Sequence, residues 1–350
     1  MNSNQHIVNL HQQARVALGA LDVLEDSASR TLFVVDDSNK LVGSLTDGDI
    51  RRGLLAGLEI SDPIAGFMNT NFKFLKNSDY TLEQIKAFRK SDISLIPLIG
   101  DDFHLLDILD LKKTQTKLPL TALIMAGGKG ERLKPLTDAT PKPMLKVGNK
   151  PILEHNIDRL VAYGIKDIYI SVKYLKEQIM DYFGDGHAKG VNIHYIEEDE
   201  PLGTLGSMGF IENVAYEDIL VMNSDLLTNI DFEDFYNFYK EGAADMALAS
   251  VPYYVTIPYA VLETSGHLIS SFSEKPSYTY YSNGGIYLLK FALKNQFKKG
   301  SFFNATDLMD QIIAGSTTKL IHYPLLGYWL DIGKHNDLMK AQEDIKHIKL

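Results

Sequence analysis

Cysteine is absent from the 350 residues, which leaves neither a disulfide framework nor thiolate chemistry to this chain. Positive charge is in deficit. Lys and Arg number 35 against 45 Asp and Glu, and the formal net charge of −10 argues against a general nucleic-acid binder. No run approaches the ~20 apolar residues that span a bilayer. The opening Met1-Asn2-Ser3-Asn4-Gln5-His6 lacks the basic and apolar regions of a signal peptide. The expectation is a cytoplasmic protein with no membrane or nucleic-acid partner. The length suits two domains, or three small ones, with a substantial core.

What is present is concentrated after Leu120. A short apolar run, Ala122 to Ala126, reads as a strand buried on both faces. It ends in Gly127-Gly128-Lys129-Gly130, where glycines let backbone N–H groups approach a ligand without side-chain interference. Lys129, Arg132, Lys134, Lys142 and Lys146 then crowd one segment of an acidic chain. Glycine amides beside clustered cations suit a polyphosphate, so a nucleoside triphosphate site is expected here. Two familiar phosphate loops are excluded. A Walker-type loop needs Lys and then Ser or Thr after its last glycine, but Glu131 follows Gly130. A dinucleotide fingerprint needs a glycine where Leu133 stands.

Beyond this loop, apolar runs alternate with helical patterns. Pro151 is expected to open a helix with Leu153, Ile157, Leu160 and Val161 on one face and Gly164 closing it. Strands are expected at 168–172, 191–196, 219–222 and 244–251. Helices are expected at 177–183 and 231–241, after Gly203-Thr204-Leu205-Gly206-Ser207, and over 334–348. The strand at 191–196 runs into Glu197-Glu198-Asp199-Glu200-Pro201. This order predicts an α/β fold, a mainly parallel, Rossmann-like sheet with helices on both faces. Ligands belong beyond the carboxyl ends of its strands. Two aspartates fit such a place, Asp225 just past the strand 219–222 and Asp331 in Trp329-Leu330-Asp331-Ile332-Gly333.

Before Lys117 the chain repeats itself. One constant offset lays Leu18, Leu21 and Leu24 on Leu82, Ile85 and Phe88, and Leu32, Val34 and Val35 on Ile96, Leu98 and Ile99. Each unit reads helix, strand, turn, strand, helix, and two such units would pack as one domain. The first continues Gly43-Ser44-Leu45-Thr46-Asp47-Gly48-Asp49. This resembles the tandem cystathionine-β-synthase-type (CBS) domain. The resemblance implies that Thr46 and Asp49 contact the ribose of an adenine nucleotide. Read from the residues alone, Thr46 is equally an N-cap for the next helix. In the second unit Asp107, Asp110 and Lys113 stand at the positions of Gly43, Thr46 and Asp49, leaving at most one intact ribose site. The polar stretch 112–119 marks a boundary between a small α/β CBS-pair domain, 1–116 with repeats at about 1–60 and 61–116, and a second domain, 117–350.

Leu123-Ile124-Met125-Ala126-Gly127-Gly128-Lys129-Gly130-Glu131-Arg132-Leu133-Lys134-Pro135-Leu136-Thr137, followed by Pro141-Lys142-Pro143-Met144-Leu145, resembles the sugar-1-phosphate nucleotidyltransferases. The likeness continues to about His335. It implies that Ala126, Gly127, Gly128, Gly130, Gly203 and Thr204 bind the nucleotide, and that Arg132 and Lys142 serve catalysis at the phosphates. Asp225 and Asp331 would hold Mg²⁺. Ser224 stands where the family more often has glycine. Glu274, Lys275, Asn283 and Gly284 would bind the sugar phosphate, and Glu154 would help to position the nucleotide. Six tyrosines, Tyr253, Tyr254, Tyr259, Tyr278, Tyr280 and Tyr281, suit sugar stacking or, more often for strand residues, packing. No hexapeptide repeat follows the last expected helix, so the acyltransferase tail of some relatives is not expected.

The expected reaction joins a nucleoside triphosphate to a sugar-1-phosphate, releasing pyrophosphate. A CBS pair ahead of such a domain resembles the bacterial guanylyltransferases that make GDP-mannose- or GDP-glucosamine-type donors for surface glycans. GTP is therefore the favoured nucleotide and a hexose or hexosamine 1-phosphate, such as glucosamine-1-phosphate, the acceptor. Adenine nucleotide at the CBS pair would regulate the enzyme, and a homo-oligomer is expected. CTP, UTP or dTTP could serve the same chemistry. The rival from another class is a non-catalytic, nucleotide-sensing regulatory protein.

Overall fold

The computed structural model describes residues 3–24, 30–91, 93–112, 114–315, 317–348 and 350. The chain divides into two compact units, Met1–Lys117 with Ala162–Gly164, and Leu118–Val161 with Ile165–Leu350.

The first unit runs β1 (Ile7–Asn9), α1 (Ala14–Val23), β2 (Thr31–Val35), β3 (Leu41–Thr46) and α2 (Asp47–Leu55). It continues with β4 (Leu75–Lys76), α3 (Leu82–Lys90), β5 (Leu95–Ile99) and β6 (Leu105–Asp110). Strands β1-β2-β3 and β4-β5-β6 form two sheets of the same design, a parallel pair followed by an antiparallel one. Even the register slip recurs, between Val34 and Val35 and between Leu98 and Ile99. The two hairpin turns clasp each other. Leu41 N–H donates to the Phe103 carbonyl at 2.9 Å, and Leu105 N–H donates to the Asn39 carbonyl at 3.2 Å. Phe33, Val35 and Leu41 share an apolar cluster with Leu95, Ile99 and Ile108, surface that neither half could bury alone.

The two halves end differently. In the first, Thr46 caps α2: its hydroxyl accepts from Asp49 N–H at 3.3 Å. The Asp49 carboxylate in return accepts the Thr46 N–H at 2.8 Å and its hydroxyl at 2.5 Å, and Arg52 at 2.6 Å. The polar groups expected to meet a ribose are thus engaged with one another. In the second half, the expected closing helix is absent among the described residues; Lys113 lies outside them. Asp110, which replaces the capping threonine, instead accepts from Lys112 N–H at 3.0 Å in a tight Asx turn. Thr46→Ala is expected to lower the stability of this unit by about 1 kcal/mol, the usual worth of an N-cap. A urea titration checks it; an unchanged midpoint would mean that the cap carries nothing.

The second unit contains β7 (Thr121–Met125), β8 (Lys146–Val147), β9 (Lys150–Pro151), α4 (Ile152–Ala162), β10 (Asp167–Val172), α5 (Lys176–Phe183), β11 (Asn192–Glu197), β12 (Asp218–Asn223) and β13 (Leu226–Thr228). After these come α6 (Phe232–Glu241), β14 (Met246–Thr256), β15 (Val261–Ser265), β16 (Leu268–Ser273), β17 (Ser277–Lys290), α7 (Ala305–Ala314), β18 (Leu320–Pro324), β19 (Trp329–Asp331) and α8 (His335–Asp344). Its main sheet has the order β11-β10-β7-β12-β17-β14-β18, parallel throughout except for β17. This is the mainly parallel α/β sheet expected from the alternation. Strand β7 lies in its middle, Leu123 beside Tyr169 of β10 and Val221 of β12, and is buried apart from its last residue. From β7 the chain builds β10 and β11 on one side, then crosses to β12 on the other. That reversal makes the β7–β12 boundary a topological switch point, where open α/β sheets bind ligands.

Three local expectations are corrected. Pro151 does not open α4; it pairs with Lys146 in the β8–β9 hairpin, an edge position that tolerates the missing N–H. Residues after Gly203 form only a short 3₁₀ turn, Gly206–Phe210. Strand β14 extends past 251 to Thr256 and pairs with β17 as a two-stranded arm. The arm's tyrosines, Tyr253, Tyr254, Tyr259, Tyr278, Tyr280 and Tyr281, are exposed and do not pack into the core. Among the described residues no helix is long and apolar enough to cross a membrane.

Candidate active site

The loop after β7 stays on the sheet for one more residue, Ala126 N–H donating to the Ser171 carbonyl at 2.8 Å. Its turn then depends on Gly130, which has a left-handed φ of 63°. A Cβ there would lie 2.9 Å from Lys142 Cβ and 3.0 Å from Thr137 Cγ2. Leu133, the residue that excluded a dinucleotide fingerprint, is fully buried. It plugs the underside of the loop into a cluster with Leu145, Val147, Ile152, Leu227, Ile332 and Ala341. The loop is therefore a packed element, and its open side is Gly128, around which a Cβ would meet nothing within 4 Å.

Lys142 sits in a 3₁₀ turn between Pro141 and Pro143, and is only 9% exposed. A cation so buried must be paired. Its ammonium contacts Asp225 Oδ2 directly and lies 3.9 Å from Asp331 Oδ1. Asp225 follows β12 at the edge beside the glycine loop, where Ser224 N–H donates to the Met125 carbonyl at 3.2 Å and Asn156 Nδ2 to the Ser224 carbonyl at 3.1 Å. Asp331 is brought in by the antiparallel β13–β19 ladder, in which it stands opposite Leu226. Burial and the Asp225 charge push the Asp331 carboxyl up, while Lys142 and Arg132 oppose them. The Arg132 guanidinium also lies against Gly333, where a Cβ would meet it at 3.4 Å. The four residues singled out for phosphate and metal are thus neighbours.

Two contiguous clefts lie beside this cluster, the second lined by Asp331 itself. The first, about 350 Å³, is lined by Gly127, Gly128, Gly203 and Thr204, together with Lys129, Lys173, Glu198, Asn223 and Asn304. The loop carrying Gly203 and Thr204 is held by a β-like exchange with Phe303, Leu205 N–H to its carbonyl and Phe303 N–H to the Leu202 carbonyl, both 2.9 Å. Gly203 has φ 72°, and a Cβ would strike Asn304 Oδ1 at 2.7 Å, so only glycine fits. Glu198 lies at the floor, its Oε2 3.2 Å from where a Gly127 Cβ would stand. Ser171 donates to its Oε1 and Leu202 N–H to its Oε2, which fixes the carboxylate plane.

The second cleft, about 280 Å³, shares Thr204, Asn223 and Asn304 with the first and adds Asn283, Gly284, Tyr287, Trp329 and Asp331. Its turn is braced: Asn283 Oδ1 accepts from Gly285 N–H at 2.9 Å and from the Tyr287 hydroxyl at 3.0 Å, and Trp329 Nε1 donates to the Gly284 carbonyl at 2.8 Å. Glu274 and Lys275 are exposed at the turn between β16 and β17 and line neither cleft. Glu154 is held elsewhere, bonded to Lys189 at 2.8 Å and to Tyr182 at 2.7 Å. Lys173, Glu198, Asn223 and Asn304 escaped the sequence reading. Glu198 was noted there only as one acid of the run that follows the strand at 191–196.

The donors suit a hard divalent cation. Asp225 Oδ1 and Asp331 Oδ1 are both buried without a hydrogen-bond partner. No third acid, histidine or cysteine joins them among the described residues. Mg²⁺ characteristically takes one or two carboxylates and completes its shell with water and substrate phosphate.

A switch-point cleft with cations beside paired carboxylates, in a mainly parallel α/β sheet, is an arrangement suited to phosphate groups. The chain belongs to the nucleotidyl transferase family, whose model matches residues 121–348, and residues 18–56 match the CBS domain. It is 31% identical over 230 residues to a mannose-1-phosphate guanyltransferase of Yarrowia lipolytica, covering 63% of each protein. It is 29% identical over 229 residues to a mannose-1-phosphate guanylyltransferase of Mycobacterium tuberculosis, covering 64% of each. The chain therefore spans somewhat under two thirds of these relatives. A candidate glucose-1-phosphate thymidylyltransferase from Bacillus anthracis, solved with a sucrose, shares the fold at a TM-score of 0.52 and 23% identity. That match covers 66% of this chain and 97% of the other.

Proposed function

We propose that the chain transfers a guanylyl group from GTP to a neutral hexose 1-phosphate, giving a GDP-sugar and pyrophosphate. The observation that supports the reaction class is the cluster of Lys142, Arg132, Asp225 and Asp331 beside two abutting clefts, the second lined by Asp331 and both lined by Asn223, two residues before Asp225. The sugar-phosphate oxygen attacks the α-phosphorus, the bond from that phosphorus to the bridging oxygen breaks, and pyrophosphate leaves. A phosphate oxygen is already anionic, so no general base is required. Arg132 and Lys142 offset charge on the α-phosphate and the leaving group, and the glycine-loop amides hold the chain of phosphates. When bound at Asp225 and Asp331, Mg²⁺ supplies further charge neutralisation at those oxygens.

GTP is favoured by Glu198. Guanine presents two donors side by side, N1–H and the 2-amino group, which a carboxylate accepts together. Cytosine and adenine would instead turn a ring acceptor towards it. The guanylyltransferase names of the relatives point the same way. A neutral hexose is favoured over a hexosamine because, among the described residues, Asp331 is the one carboxylate lining the second cleft, and the proposed metal site claims it. The remaining polar lining is amide and hydroxyl, suited to sugar hydroxyls. Pyrophosphate release from each of four nucleoside triphosphates, crossed with mannose-, glucose- and glucosamine-1-phosphate, tests both choices. GTP with a neutral hexose phosphate is expected to lead by at least tenfold in kcat/KM. Faster turnover with glucosamine-1-phosphate would overturn the sugar assignment, and no release in any pair would overturn the enzyme.

A further inference from the structure

Lys142 does not point into open cleft to await a phosphate. Its ammonium stands between the two aspartates proposed to hold the metal, in contact with Asp225 Oδ2 and 3.9 Å from Asp331 Oδ1. Each Oδ1 is buried without a hydrogen bond; in Asp225 it is the oxygen that does not touch the lysine, and in Asp331 it is the oxygen that faces it, so each carboxylate keeps an oxygen for a metal. Two adjacent, partly buried carboxylates, each with one oxygen shut off from solvent, repel each other without a cation, and the lysine offsets that cost in the absence of substrate. An ammonium and a divalent ion cannot share the position, because two cations a few ångströms apart in a partly buried site repel each other. The four-carbon stem, anchored between Pro141 and Pro143, can swing the charge away only if another anion receives it. A triphosphate on the glycine loop is such an anion.

We propose that Lys142 is an internal stand-in for the metal, so that the cation loads only together with the nucleotide phosphates that draw Lys142 off Asp225. This rests on the reading of Asp225 and Asp331 as metal ligands and adds an order of assembly to it. The aspartate pair is kept silent towards free metal, and the same lysine that guards it becomes the phosphate-neutralising group once substrate arrives. One residue links metal binding to nucleotide binding.

The test is Mn²⁺ binding to the full chain, followed by electron paramagnetic resonance, with and without a non-hydrolysable GTP analogue. Without nucleotide, Lys142→Met is expected to bind Mn²⁺ at least about tenfold more tightly than the parent, although a variant at an enzyme's phosphate site would ordinarily be expected to bind less. The analogue should tighten Mn²⁺ binding strongly in the parent and far less in the variant. Adding Asp225→Asn to Lys142→Met should abolish the gain, which locates the ion at the pair. Lys142→Gln, which is one atom shorter but still carries a neutral donor for Asp225, serves if the methionine variant fails to fold, with the same direction expected. Equal or weaker nucleotide-free binding in both variants, or tight binding to the parent without nucleotide, overturns the proposal while leaving the metal site standing. No Mn²⁺ binding to parent or variants in either condition overturns the metal site as well.

Discussion

Asp225→Asn is expected to slow pyrophosphate release by about 10²–10³-fold, the scale seen when one preorganised charge-stabilising group is removed from an active site. The amide keeps the shape of the carboxylate but loses its charge, so it binds a divalent cation poorly and no longer orients Lys142. The loss should appear in kcat more than in KM, since the interaction grows as charge moves onto the leaving pyrophosphate. Stability is expected to change little. Lys142 keeps Asp331 as a partner at 3.9 Å, and the repulsion between the two aspartates, which helps to push the Asp331 carboxyl up, is relieved. Thermal unfolding and turnover measured on the same preparation separate the two effects. Turnover within threefold of the parent would remove Asp225 from the chemistry. A large loss of stability with normal specific activity in the folded fraction would make it a structural ion pair.

The parts of this protein legible in the sequence are those set by short-range pattern. Strand β7 is a buried apolar run ended by glycines, and it stands where that pattern places it. The alternation that predicted a mainly parallel sheet reports burial on both faces, a property each strand carries by itself. Pairings over long separations are another matter. Asp331 could be assigned from its motif, but its meeting with Asp225 depends on the β13–β19 ladder, which joins distant segments of three residues each. The outer half of the arm of β14 and β17 was missed because most of its residues are exposed and its tyrosines fall on both faces, which blurs any apolar alternation. Pro151 misled because proline suits both the first turn of a helix and an edge strand, and the choice is made by Lys146 across the hairpin. Glu198 was hidden in an acidic run, and only the fold shows which of four acids faces inward.

Glu198→Gln is the variant expected to alter the choice of base. In the parent, Ser171 and Leu202 N–H hold the carboxylate from behind, leaving its other lone pairs towards the first cleft. The glutamine amide can keep its oxygen on one of these donors only by turning an NH₂ group towards the remaining donor or towards the base. Guanine, which offers two donors along that edge, then meets a donor and loses a charge-assisted pair of bonds. Such bonds contribute about 1.5–3 kcal/mol each to recognition, so kcat/KM for GTP should fall by about 10²-fold. Uracil and thymine carry a carbonyl acceptor next to N3–H and match an amide, so UTP and dTTP should hold level or improve. The change belongs mainly in KM, because the base lies away from the reacting phosphorus and its contacts are the same in the ground and transition states. Steady-state measurements with four triphosphates and one sugar phosphate decide it. An unchanged ranking, with GTP reduced less than threefold, would mean that guanine is read elsewhere and that Glu198 only braces the loop through Leu202. A fall in kcat shared equally by all four bases would mean that Glu198 acts on the phosphates through the neighbouring Gly127, not on the base.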